Sequence, residues 1–290
     1  MTEKQYVGLI GGESIARYSV AHLVWREIID AAKANARFEY HPVTSVEELN
    51  EKLELVRAGE IAGTNVALPW KEVAAAQCDF RTEAVAATGY ANTIYGKSGK
   101  LYADNTDGRG FLKGLDAKAV NHALILGAGG AGTVLAYELI IAGAKVVVAD
   151  SEVAVLDKVE QLAKGWGCHE RLKFLHVLDV IPSDFDLIVN GTPLGRGLLS
   201  EKKADPNTEL SPISDEFVQR VPGVATFAEM NYYPAQTKFL AQAAAINQPT
   251  VPGLAMLLNQ AVLSYQDYSG ILLDKGQIGS IRRRLEKELF

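Results

Sequence analysis

The sequence predicts an α/β protein of two domains, each built on a mainly parallel sheet. Three observations carry that expectation. Short apolar runs alternate with helix-period stretches from the N-terminus onward, the alternation restarts near residue 121, and a glycine-rich turn joins a strand to a helix at that restart.

The first series reads "YVGLIGG", a helix-like "VAHLVWREIIDAAKA", "RFEYHPV", "VEELNEKLELVRAG" and "IAGTNVALP". Then the rhythm changes. "YANTIYGKSGKLYADNT" reads as a hairpin turning at residues 97–100, an antiparallel edge on an otherwise parallel sheet. The second series runs "HALILGAGGAGTVLAYELIIAGAKVVVADS", "RLKFLHVLD", "FDLIVNGTPLG" and "GVATFAEMNYYP". Past Pro252 come two helices and no further strand, "GLAMLLNQAVLSYQDYSG" and "IGSIRRRLEKELF", expected to return to the first domain. The expected division is residues 1–106 plus 253–290 for substrate binding and catalysis, and residues 107–252 for a dinucleotide.

Composition narrows the function classes. Of 290 residues, 48% are hydrophobic and 22% charged, ordinary for a globular chain able to bury two cores. A formal charge of -6 argues against a nucleic-acid surface. Cys78 and Cys168 stand far apart without a CxxC or Cys/His cluster, so neither a disulfide framework nor a metal site is expected. The polar opening "MTEKQ" does not read as a signal peptide, and no apolar run reaches membrane-spanning length. Cytoplasmic residence and no membrane or nucleic-acid partner are the resulting expectations. The oligomeric state, monomer or homodimer, is not readable from the sequence, and the small-molecule substrate is read from the motifs below.

In the second series, Gly127, Gly129 and Gly132 follow the G-x-G-x-x-G order, with Gly130 and Ala131 between, after an apolar strand and at the start of a helix. Glycines permit a tight turn and close backbone approach, while the helix start offers free N–H groups and a positive dipole to a pyrophosphate. This is the Rossmann pattern. Asp150 closes the second strand where an acidic residue takes the ribose hydroxyls, and no arginine in "ADSEVAVLDK" waits for a 2′-phosphate, which favours NAD.

In the first series, "GTNVALPWKE" places Lys71 where a strand ends and a helix starts, the edge where α/β proteins bind ligands. It also fits a solvated lysine at a helix start. Asn92 and Thr93 in "GYANT", with Asn105, Thr106 and Asp107 in "ADNTDGRGF", form a polar set suited to gripping hydroxyls; each also fits a turn cap.

Taken together in order, "NVALPWK", "GYANT", "DNTDGRGF", "GAGGAG", "NGTPLG", "EMNYYPAQT" and "GLAMLLNQA" resemble the shikimate dehydrogenase family, which includes quinate/shikimate dehydrogenases, over nearly the whole chain. The resemblance implies an oxidoreductase that interconverts a ring hydroxyl and a ketone of a cyclic polyol acid, with Lys71 and Asp107 as the acid/base pair. It implies that Asn65 and Asn92 hold substrate hydroxyls, that Tyr232 and Gln260 line the same pocket, and that Thr192, Pro193, Leu194 and Gly253 accompany the cofactor. It also exposes departures. The family's Ser-x-Ser-Pro, whose hydroxyls receive the substrate carboxylate, becomes Tyr18, Val20 and Ala21 here; Tyr18 can still donate one hydrogen bond to substrate, a one-residue shift lets Ser19 serve, and Arg17 either pairs a carboxylate or is a surface arginine. Ala67 stands for the family's Thr in "NVT", and Glu229 for its usual Asp. Two alternatives follow: the same chemistry on a ring polyol lacking the carboxylate, and a non-catalytic NAD-binding sensor.

Overall fold

The computed structural model describes residues 5–115, 119–197 and 206–290. Two compact units divide the chain, Met1–Thr106 with Leu258–Phe290, and Asp107–Leu257. The boundary expected at residue 253 lies just before the helix in which the second unit ends.

The first unit runs β1 (Gln5–Gly11), α1 (Ile15–Tyr18), α2 (Ala21–Ala32), β2 (Ala36–Pro42), α3 (Val46–Ala58), β3 (Gly63–Val66), α4 (Lys71–Ala76), β4 (Phe80–Arg81), α5 (Glu83–Thr88), β5 (Thr93–Lys97) and β6 (Lys100–Asp104). Its sheet is ordered β2-β1-β3-β5-β6-β4. β1 pairs in parallel with β2 and β3, whereas β5 runs antiparallel to both β3 and β6. The hairpin turns where expected. Ser98 and Gly99 both adopt positive φ, 52° and 71°, and Lys97 pairs with Lys100, the geometry a two-residue turn needs to match strand twist. Strand β4 was not anticipated, because two exposed residues carry no readable period.

Helix α3 shows how sequence becomes element. Ser45 caps its start by accepting from Glu48 N at 3.2 Å, and Gly59, at φ 82°, ends it in the left-handed region. Leu49, Leu53 and Val56 fall on one face and enter a core with Ile10, Val66, Ile94 and Leu101.

The second unit runs α6 (Asp107–Gly114), β7 (His122–Leu126), α7 (Gly130–Ile141), β8 (Lys145–Asp150), α8 (Val153–Ala163), β9 (Leu172–His176), β10 (Leu187–Asn190), α9 (Asp215–Gln219), β11 (Thr226–Glu229), α10 (Lys238–Ala245) and β12 (Thr250–Val251). All of its strand pairs are parallel, in the order β12-β11-β10-β7-β8-β9. Counted within the unit this is the Rossmann order 3-2-1-4-5-6, whose direction reverses between β7 and β10. Ligands of such sheets enter at the carboxyl ends of the strands flanking that reversal.

The C-terminal helices are α11 (Leu254–Ser269) and α12 (Lys275–Leu289). Helix α12 starts with a capping box between Asp274 and Gln277 and buries Ile281, Leu285 and Leu289. It packs on α2 of the first unit: Gln277 Nε2 donates to Ala31 O at 2.9 Å, Arg284 pairs with Glu27, and Arg26 pairs with Glu288.

Gly96 on β5 faces the backbone of α3 so closely that an added Cβ would lie 2.2 Å from Val56 O. Because that obstacle is main chain, Gly96→Ala is expected to cost about 1–3 kcal/mol, read as a lowered urea midpoint.

Candidate functional site

In the first unit the polar residues meet as one buried, uncharged cluster. Asn65, on the central strand β3, donates from Nδ2 to Asn92 O at 3.0 Å and to Ser264 Oγ at 2.9 Å, while its Oδ1 accepts from Trp25 Nε1 at 3.2 Å. Asn92 Oδ1 accepts from Thr106 N at 2.8 Å and Thr93 Oγ1 at 2.7 Å. Its Nδ2 donates to Thr106 Oγ1 at 3.0 Å and Gln260 Oε1 at 3.3 Å. Thr93, Thr106 and Ser264 hydroxyls close the ring at 2.8–3.4 Å. The Thr106 main-chain N–H can only donate, so it fixes which end of the Asn92 amide is the carbonyl. Asn65, Asn92 and Gln260 are thereby brought together. Ser264 and the polar role of Trp25 were not read from sequence. Ser264 follows Gln260 by one helical turn on α11, a spacing that could have signalled it.

Lys71 is the first residue of α4 and is half-buried; its carbonyl accepts from Ala91 N at 3.0 Å. Asn105 is buried, with Nδ2 donating to Tyr90 O at 2.8 Å. Asp107 is also buried, but it opens α6 in the second unit, to which half-buried Tyr232 belongs as well. The Tyr18 side chain lies outside the described residues. Ser19 Oγ accepts from Ala21 N at 3.2 Å and Ser19 O accepts from the Tyr40 hydroxyl at 2.7 Å, while Arg17 is exposed.

In the second unit the glycine turn follows β7. Gly127 sits at φ 104°, and a Cβ there would come within 2.8 Å of Gly191 C and 2.9 Å of Thr192 N. A side chain is excluded twice over, by conformation and by space. Gly132 is constrained by space alone, since its Cβ would meet Gly127 O at 2.1 Å. Gly129 caps α7, so Gly130, Ala131 and Gly132 form its first turn, whose N–H groups lack intrahelical partners and can receive an anion.

The segment after β10 abuts this turn and is held by side chains beneath it. Asn190 Oδ1 accepts from Thr192 N at 3.0 Å and Thr192 Oγ1 at 2.7 Å, and its Nδ2 donates to Leu194 O at 3.0 Å. Asn231 Nδ2 donates to Thr192 O at 2.9 Å and Leu194 O at 3.3 Å. Pro193 O accepts from Asn207 Nδ2 at 2.8 Å. Gly253 lies against Asn231, where a Cβ would meet Asn231 O at 2.2 Å.

Glu229, only 1% exposed at the end of β11, joins both amides. Oε1 accepts from Asn231 N and Nδ2, both at 2.9 Å; Oε2 accepts from Asn190 Nδ2 at 3.0 Å and Thr237 Oγ1 at 2.8 Å. Burial pushes its carboxyl up to about 7, against the pull of these donors. A carboxyl raised from 4.5 takes up a proton on folding between those values, so its contribution to stability is greatest below 4.5 and falls as pH rises toward about 7. The thermal midpoint of the wild type relative to Glu229→Gln, followed by scanning fluorimetry, is therefore expected to decline from pH 5 to pH 7.5.

A family model described as the shikimate dehydrogenase substrate binding domain matches residues 10–94. Proteins named shikimate dehydrogenase (NADP(+)) from Carboxydothermus hydrogenoformans and Caulobacter vibrioides are 30% and 31% identical, over 93% of this chain in each case and 93% and 92% of theirs. The shikimate 5-dehydrogenase of Thermus thermophilus, solved with NADP(H) and shikimate, superposes with a TM-score of 0.79 at 28% identity, covering 97% of this chain and 99% of that one. These relatives overturn the expectation of NAD. The physical reason lies at Asp150, whose two oxygens accept from Ala128 N at 2.7 Å and Glu152 N at 3.0 Å. Its carboxylate braces the glycine turn, so its presence does not by itself choose between cofactors. With identity of 30% sustained over 93% of both chains, this chain belongs to the shikimate dehydrogenase family.

Proposed function

We propose that the chain is an NADP(H)-dependent oxidoreductase that interconverts a ring hydroxyl and a ketone of shikimate or a closely related cyclic polyol acid such as quinate. The observation that carries this reading is the likeness to named shikimate dehydrogenases along almost the entire chain. The buried amide and hydroxyl cluster of the first unit supports it. Neutral donors and acceptors in fixed orientations suit a substrate presenting several hydroxyls, and such a site discriminates strongly against analogues that leave its groups unpaired.

Lys71 and Asp107 are proposed as the acid/base pair, with Asn65, Asn92, Gln260 and Tyr232 facing the substrate. The dinucleotide supplies a hydride acceptor or donor. In oxidation the carbinol carbon gives up its hydride and the hydroxyl its proton, which passes to the Lys71 amine; in reduction the Lys71 ammonium returns it to the ketone oxygen. Asp107 orients the amine and balances its charge.

A second reading keeps this chemistry but drops the substrate carboxylate. It is favoured by Val20, buried and apolar where the family has a serine hydroxyl for that group, and by Ala67, which offers only a methyl in place of the family's Thr. Turnover followed by NADPH absorbance against shikimate, quinate and uncharged ring polyols separates the two readings. The first expects the highest kcat/KM with shikimate or quinate, and an uncharged polyol exceeding both favours the second. With NADP+ in place of NAD+, turnover is expected to be faster at equal concentration. Lys71→Ala is expected to lower kcat by about 10²–10⁴-fold while NADPH binding persists; unchanged turnover removes the acid/base role.

A further inference from the structure

We infer that Glu229 is a positioning residue for the dinucleotide: acting through Asn190 and Asn231, it holds the Thr192–Leu194 segment against the Gly127 turn and so sets how tightly the cofactor is bound. The inference rests on the proposed use of a dinucleotide and gives a role to Glu229, the residue that opens the "EMNYYPAQT" stretch.

Three observations within the second unit carry it. The Gly127 turn and the Gly191–Thr192 backbone touch at the reversal between β7 and β10, where Rossmann sheets take their ligand. A pyrophosphate on the first turn of α7 must therefore lie beside Thr192. The position of Thr192 is in turn set by two amides, since Asn190 accepts its N–H and Asn231 donates to its carbonyl. Both amides converge on the Glu229 carboxyl, one on each oxygen.

The chemistry of that convergence is specific. Each Glu229 oxygen accepts from an N–H that cannot reverse. At Oε1 it is the main-chain N–H of Asn231; at Oε2 it is Asn190 Nδ2, whose orientation is fixed because Asn190 Oδ1 accepts the Thr192 N–H. Only the Thr237 hydroxyl could turn from donor to acceptor. Gln at this position opposes one fixed N–H with its own NH₂, whichever way its amide is set, and frees one arm of the clamp. The charge-neutral form of Glu does not, because its single proton can face Thr237. Acceptor geometry at position 229, rather than its bulk, is what holds the segment.

The test is NADPH affinity, measured by fluorescence titration on the full chain at pH 8 alongside steady-state kinetics and thermal midpoints. Glu229→Gln is expected to raise the NADPH Kd and KM about tenfold or more while kcat at saturating cofactor stays within about threefold. Glu229→Asp, which keeps an acceptor-only carboxylate, is expected to bind NADPH more tightly than Glu229→Gln. A purely structural role predicts instead a lowered midpoint or active fraction with Kd unchanged. An NADPH Kd within twofold of wild type in Glu229→Gln, or an affinity for Glu229→Asp below that of Glu229→Gln, overturns the inference. Should Glu229→Gln fail to fold, Asn231→Ala removes the links to Thr192 and Leu194 while sparing the carboxyl and its main-chain donor; the same rise in Kd is expected, and an unchanged Kd overturns the inference. A wild-type chain that binds NADPH but reduces no ring ketone sinks the substrate reading alone, and one that binds no NADPH sinks both.

Discussion

A polar group withdrawn from water must find its partners inside the protein, and both halves of this chain are arranged around that requirement. In the first unit the ring around Asn65 meets it without charge: Asn65, Asn92, Thr93, Thr106 and Ser264 hydrogen-bond to one another. In the second, four donor groups converge on the Glu229 carboxylate. The two solutions have different consequences. A neutral ring of amides and hydroxyls can present leftover donors and acceptors to a polyol without a charge to desolvate, whereas a buried carboxylate organises backbone around itself.

Both arrangements stand at the carboxyl ends of parallel strands. β3 ends at Val66, just past Asn65; β10 ends at Asn190 and β11 at Glu229. Strand ends are where the ladder stops supplying partners, so side chains and loop amides meet there without competition from the sheet. This is why one fold class can offer a hydroxyl-binding surface in one unit and an anion-binding turn in the other with no shared motif.

Much of the fold was legible because it is periodic. The alternation of strands and helices, the hairpin at Ser98–Gly99 and the glycine spacing around Gly127 all follow from residues close in sequence, where steric rules act directly. The two-residue strands β4 and β12 carry no period and were invisible. The hydrogen bond from Asn65 to Ser264 spans 199 residues, beyond the reach of any local rule. Asp150 shows a subtler limit. Its place at the end of β8 was evident, but its engagement with Ala128 N depends on how the glycine turn folds back, and that engagement is what weakened the inference about the cofactor. Departures from the family pattern at Val20 and Ala67 were equally plain in the sequence, because they are losses of hydroxyls, which need no geometry to notice.

The pairing of α12 with α2 has a consequence for biosynthesis. Residues 258–290, which carry Ser264 and the buried face of Ile281, Leu285 and Leu289, are translated only after the whole second unit. On the ribosome, β1 to β6 therefore emerge long before the helices that cover α2 and complete the Asn65 ring. The second unit is continuous and its strands are all made before those helices, so the N-terminal segment stands without its covering helices until the chain comes back to it.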